Sequence, residues 1–217
     1  MHTARPPSAS RAIALLLLPL VIGIASCGHR PFVADTVFDS IHARDLQSFR
    51  IHLDSYADKE LQTGWTEIAS PDHGEFLDYA LVHGFRVHAG AAAGSWYTAA
   101  IGYDNPDAIR KLVRVGTDVG LAGPPYSICP YGNFVIRCAL EKPNLELFTA
   151  FFQAGVMPSL TYDGKPILLD AIQLDNLAAA QFLLDLGAAA SETYEGRTML
   201  EYARSAPMAT LLKDHGG

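Results

Sequence analysis

The chain has 217 residues, of which 49% are hydrophobic and 18% charged, so it carries enough apolar surface to fold and does not read as a disordered polymer. Sixteen Lys and Arg against 23 Asp and Glu give a net charge of −7, which repels phosphate backbones and argues against a nucleic-acid binder. Three cysteines are too few for a scaffold built on disulfides.

The average conceals an uneven chain. Residues 1–26 hold Arg5 and Arg11 and no acid, so 14 basic and 23 acidic side chains remain beyond them, a net charge of −9. A basic stretch (1–11) precedes the apolar run AIALLLLPLVIGI (12–24). At 1.5 Å per residue that run spans about 20 Å as a helix, short of the roughly 30 Å of a bilayer core. The pattern predicts a secretory signal peptide over 1–26.

Ile24-Ala25-Ser26-Cys27 then resembles the lipobox of a bacterial lipoprotein: an aliphatic residue, two small ones and a cysteine. The resemblance implies that Cys27 takes the lipid and becomes the first mature residue, with 27–35 as a lipidated tether. Gly28 stands where lipoproteins retained at the inner membrane carry Asp, which implies the outer membrane and a periplasm-facing protein. The competing reading is an ordinary signal peptide followed by a chance cysteine. An acyl anchor is a tether and carries no activity of its own.

From residue 36 the chain repeats. LVRVGTDV (112–119), FFQAGVMP (151–158) and LLDLGAAA (183–190) each place two apolar and two variable residues before Gly116, Gly155 or Gly187. Ala100, Ala139 and Ala171 lie sixteen residues before these glycines, and Ile109, Phe148 and Ala180 seven before. Weaker copies place Tyr56, Gly84 and His215 in the glycine slot, with Phe49, Leu77 and Met208 seven residues earlier. The spacings 28, 32, 39, 32 and 28 average about 32.

This register resembles the ankyrin repeat, whose period is 33 and whose signature is T-P-L-H-x-A. GRTMLEYA (196–203) and GKPILLDA (164–171) match best, GNFVIRCA (132–139) more loosely, and none holds the full T-P-L-H. The resemblance implies an all-α solenoid of about five to six helix-turn-helix repeats with short β-hairpin-like finger loops, over 36–217. The glycines are expected as left-handed helix caps. Asp163-Gly164 and Glu195-Gly196 are expected as tight turns, and Asn105-Pro106 and Lys142-Pro143 as inter-helix turns where proline can open a helix.

Candidate binding residues follow from the irregularities. The 39-residue spacing carries seven extra residues within 118–132, and insertions in solenoids tend to map to a binding face. Tyr126 and Tyr131 lie in that insertion, and Tyr162 and Tyr194 precede the two tight turns exactly one repeat of 32 apart. Rigid aromatics suit protein recognition, although the same rings could pack against neighbouring fingers as structure. Trp96 is a further contact candidate, while its position near a helix start, like that of Trp65, also suits the core. Cys129 and Cys138 could bridge in an oxidising periplasm; a buried free thiol at Cys138 is the alternative.

Sites for chemistry are missing from this reading. There is no G-x-S-x-G, P-loop, G-x-G-x-x-G or C-x-x-C. The eight histidines, His73, His83 and His88 among them, read as solvated loop residues. Asp104, Asp107, Asp170, Asp175 and Asp185 read as surface positions of helices. No catalytic, cofactor-binding or metal-ligating residue is expected, and the protein is expected not to be an enzyme. The resemblance extends to bacterial envelope ankyrin-repeat lipoproteins, which include immunity proteins against toxins delivered into the periplasm. Type VI secretion phospholipase effectors are one such toxin class. It implies a protein partner, which the charge of −9 would favour being basic, and membrane attachment through the lipid. A structural or assembly scaffold of the envelope is the alternative.

Overall fold

The structure, a computed structural model, describes residues 36–56, 59–87, 91–117, 135–162 and 164–217, all within a unit that begins at Val33. These residues form consecutive helical pairs. The first is α1 (Val37–His42) with α2 (Leu46–Asp54). In the second, two 3₁₀ segments, Thr63–Ala69 and Pro71–His73, stand where a first helix is expected, before α3 (Gly74–Val82). Then follow α4 (Ala91–Gly102) with α5 (Pro106–Arg114), and α6 (Val135–Leu140) with α7 (Leu145–Gln153). The last pairs are α8 (Ile167–Gln173) with α9 (Leu177–Asp185), and α10 (Met199–Tyr202) with α11 (Ala206–Asp214). Strands β1 (Thr161–Tyr162) and β2 (Lys165–Pro166) form one antiparallel finger, and β3 (Thr193–Tyr194) and β4 (Arg197–Thr198) another.

Local chemistry sets the start of every second helix but α3, whose cap residue His73 makes no side-chain cap hydrogen bond. Asp45, Asn105, Asn144, Asn176 and Ser205 are N-caps whose side-chain oxygens accept from first-turn backbone N–H groups. Such a cap is worth about 1 kcal/mol over alanine. Pro106 opens α5 as expected. Pro143 does not open α7, because Asn144 intervenes as the cap; the proline stiffens the turn instead.

The residue before three of these caps, Arg44, Asp104 or Asp175, sits in left-handed backbone at φ 53°, 54° and 53°. All three also staple repeats together, Arg44 through Asp72 of the next pair at 3.0 Å. Asn144 Nδ2 donates to Asp104 Oδ1 at 2.7 Å and Ser205 Oγ to Asp175 Oδ1 at 2.7 Å. Asp104 and Asp175 are therefore turn residues, not the helix-surface residues expected.

The glycine slots behave as predicted at Gly84, Gly116, Gly155 and Gly187, all at positive φ. The last copy is one residue out of the expected register: His215 caps α11 at φ −104° and Gly216 takes the left-handed turn at φ 85°. The repeat core lies between these caps. Ala100, Ala139 and Ala171 are fully buried, which lets helices approach closely, and Phe49, Leu77, Ile109, Phe148 and Ala180 fill the space beside them. Phe182 of α9 packs on Phe148 and Phe152 of α7 at 6.4 and 5.9 Å between ring centroids, joining adjacent repeats.

Candidate functional site

The two fingers share one construction. The register pairs Tyr162 with Lys165 and Tyr194 with Arg197, so each aromatic faces a cation across the hairpin. Glu195 and Gly196 at φ 49° and 75° form a two-residue turn whose twist suits a tight hairpin. Gly164 repeats that conformation at φ 73°, and its neighbour Asp163 lies outside the described residues.

The first finger is fastened to two helices through one carboxylate. Lys165 Nζ donates to Asp170 Oδ1 at 2.5 Å and to Gln173 Oε1 at 2.8 Å on α8. Arg137 reaches the same oxygen from α6 at 3.2 Å and also pairs with Glu141 at 3.2 Å. Asp170 is only 1% exposed, which corrects the expectation of a surface residue. A buried carboxylate is tolerable because two cations share its charge. Its Oδ2 has no protein partner. Burial alone would lower the Arg137 pKa, but its hydrogen bond to Tyr162 and the charge of Asp170 raise it overall. Beside this cluster, Leu140, Pro143 and Leu174 wall a cleft closed by Glu141, Lys142 and Asn176.

The second finger is held differently. Tyr202 Oη donates to the Tyr194 carbonyl at 2.9 Å, and the Arg197 guanidinium lies over the Tyr202 ring at 4.3 Å. Thr198 and Glu201 form a capping box at the start of α10. Burial, then the charge of Glu195, raises the Tyr194 pKa.

Tyr162 and Tyr194 thus occupy equivalent, half-buried positions and pack against the core. Tyr126, Tyr131, Cys129 and Cys27 lie outside the described residues, as do His88 and the 118–132 insertion. Trp96 is fully buried within α4, so it is a core residue and not a contact residue; Trp65 is likewise core. Cys138 is disulfide-bonded, and the chain's other two cysteines lie outside the described residues.

His73 is also corrected. It is 4% exposed, with Nδ1 2.9 Å from Ser70 Oγ, because the 3₁₀ segment turns it inward against Phe76. His83 is exposed and stacks on Tyr79 at 3.9 Å. No group of three potential metal ligands occurs among the described residues. Asp107 and Asp185 stay on outer helices, near Lys111 at 2.7 Å and His215 at 3.7 Å.

Sequence reasoning overlooked Arg137, Lys165, Arg197 and Tyr202 and misplaced Asp170. A usable signal was present: Thr-Tyr, an acid, Gly and a cation recur in that order at 161–165 and 193–197.

No protein-family model matches the chain, and no curated protein does. Among solved structures, it is similar to the ankyrin repeat domain of Bcl-3, a member of the IκB family. The identity is 18% over 82% of this chain and 81% of that one, with a TM-score of 0.61. It is also similar to a chain in the complex of the predatory endopeptidase Bd0816 from Bdellovibrio bacteriovorus with the immunity protein Bd3460. There the identity is 16% over 83% of this chain and 97% of that one, with a TM-score of 0.53. At these identities the likeness concerns the fold, an all-α ankyrin-repeat solenoid.

Proposed function

We propose that this ankyrin-repeat protein is a non-enzymatic binding module that holds one protein partner on its finger-bearing face. The observation that carries the reading is the pair of like fingers, each presenting a tyrosine opposite a cation and each fastened to a neighbouring helix. Tyrosine and arginine on preorganised supports provide contact area at low entropic cost.

The partner class we propose is a toxin, with this chain as its immunity protein. Two considerations support it: a similar fold occurs in an endopeptidase–immunity protein complex, and the lipobox-like Ile24–Cys27 run would place the chain at the outer membrane, facing the periplasm. A type VI secretion phospholipase effector is one toxin that fits that compartment. Within the same reading, Cys27 carries the lipid and Cys138 bridges Cys129.

Three measurements test these points. Co-expression with the product of the adjacent gene should restore growth against its toxicity and yield a one-to-one complex on gel filtration; neither result would leave the immunity reading standing if absent. Cys27→Ala should release the protein from the membrane fraction, and continued attachment overturns the lipid anchor. A non-reducing peptide map should join the peptides of Cys129 and Cys138.

A further inference from the structure

Among the described residues, each boundary between consecutive helical pairs carries a polar tie at the inter-helix turn, with one exception. Arg44 pairs with Asp72 at 3.0 Å, and Asn105 Nδ2 donates to the Ala69 carbonyl at 2.8 Å. Asn144 Nδ2 donates to Asp104 and Ser205 Oγ to Asp175, both at 2.7 Å. The exception lies between the pair α6 and α7 and the pair α8 and α9. There the cap Asn176 stands where Asn144 stands one repeat earlier, and Pro143 stands where Asp104 does. Proline has no acceptor to offer, and its fixed φ excludes the left-handed turn that Asp104 and Asp175 adopt.

The missing tie leaves a gap. A cleft of about 370 Å³ opens at this boundary, walled by Leu140, Pro143 and Leu174 and bordered by Glu141, Lys142 and Asn176. Asn176 Oδ1 accepts from the Ala179 N–H, the same cap bond that Asn105 makes with Ala108. In Asn105 that bond turns Nδ2 toward the preceding repeat. Asn176 Nδ2 therefore faces the cleft, where it meets no acceptor among the described residues. Lys142 has no ion-pair partner among them either. The nearby acids are occupied: Glu141 pairs with Arg137 at 3.2 Å, and Asp175 turns to Ser205.

We infer that this cleft takes an acidic side chain of the protein partner, an aspartate or glutamate with an apolar neighbour; this rests on the reading of the chain as a protein-binding module. The flanking repeats identify the ligand. At the boundary on either side, an aspartate carboxylate fills this slot and accepts from the cap of the next repeat. The partner's carboxylate completes the series from outside. It accepts from Asn176 Nδ2 and pairs with the Lys142 ammonium, and charge-assisted bonds of this kind favour an acid over a neutral amide. The apolar neighbour covers Leu174, which is 40% exposed at the mouth of the cleft.

The probes are acetyl-Leu-Asp-amide and its neutral analogue acetyl-Leu-Asn-amide, titrated into isotope-labelled full-length protein and followed by NMR at the Asn176 side-chain amide. The acidic probe should bind about tenfold more tightly than its analogue, the difference that one charged acceptor makes to a hydrogen bond. Lys142→Ala should remove most of that preference. Pro143→Asp places a carboxylate in the slot, as Asp104 and Asp175 do, and should block the acidic probe. Both substitutions lie in a surface turn, and circular dichroism checks that the variants keep their helix content. Equal affinity for the two probes, no shift at Asn176, or acidic-probe binding that survives Pro143→Asp overturns the inference. The module reading fails separately. If wild type and Pro143→Asp bind the product of the adjacent gene equally, the role of the cleft is overturned and the binding module stands. If neither binds it, the module falls, and this inference with it.

Discussion

Lys165 Nζ lies 2.5 Å from Asp170 Oδ1, and Arg137 meets the same oxygen from the preceding repeat at 3.2 Å. One buried carboxylate therefore fixes a finger, its own helix and the helix before it. Removing that carboxylate leaves two cations facing each other in a poorly solvated site. Asp170→Ala should cost about 3 kcal/mol, as breaking buried ion pairs does, read as a lower urea midpoint. Replacing Asp170 and Lys165 together with Leu and Met should recover most of that loss, because no uncompensated lysine remains. A single variant as stable as wild type would show that the pair is not a structural tie.

The helix caps make a sharper comparison, because one slot breaks the rule. Gly187 sits at φ 95°, and an added Cβ would meet no atom within 4 Å, so the penalty of Gly187→Ala is conformational and not steric. It should amount to about 1–2 kcal/mol. Tyr56 fills the equivalent slot without positive φ and packs edge-on against Trp65 at 5.2 Å. Tyr56→Gly should therefore destabilise as well, although it restores the repeat's preferred residue. Urea titration of the two variants separates these causes, and a stabilised Tyr56→Gly would refute the second.

The contrast explains what could be read before folding. Gly116, Gly155 and Gly187 mark a backbone requirement that recurs every repeat, and the alanine column marks a steric one, so both leave a periodic trace. Asp170 leaves none. Within ILLDAIQ it looks like the exposed residue of an amphipathic helix, and its burial depends on Lys165 across a hairpin and Arg137 thirty-three residues earlier. His73 was hidden for a similar reason: it reads as a solvated loop residue, and the short 3₁₀ segment Pro71–His73 turns the ring inward. Trp96 had two open readings, and only packing between repeats selects the buried one.

Acid should weaken the fold through two carboxyls at helix starts, the half-buried cap Asp45 and the exposed Glu201. Hydrogen bonds from the Ser48 side chain and backbone hold the Asp45 carboxyl below its ordinary 3.8. The Thr198 backbone and hydroxyl hold Glu201 below its ordinary 4.5. A carboxyl whose folded pKa is depressed adds stability above its unfolded value and loses it as the pH falls toward the folded one. The effect should therefore be complete at neutral pH and fade below about pH 4.5. Glu201→Gln, which cannot titrate, should show a smaller drop in urea midpoint between neutral and acidic pH than wild type. An identical drop would mean that the capping box does not contribute to acid sensitivity.

The finger tyrosines are the hardest residues to assign, because each ring is half-buried and has a neighbour that a partner could also use. Truncation confounds the two roles: Tyr162→Ala with Tyr194→Ala should cost about 2 kcal/mol from lost packing alone. Phenylalanine separates them. Tyr162→Phe with Tyr194→Phe keeps both rings against the core but loses the hydrogen bond between Tyr162 and Arg137, so it should cost about 1 kcal/mol, less than the alanine pair. If the hydroxyls and exposed ring edges contact a partner, the phenylalanine pair should bind it more weakly while still melting as a folded protein. The cation on the second finger supplies the independent check. Arg197 is exposed over Tyr202, so Arg197→Ala should leave the fold nearly unchanged yet reduce partner affinity about tenfold, the effect of losing one interface arginine. Unchanged affinity in both variants, measured by calorimetry with the adjacent gene's product, would move recognition away from the second finger altogether.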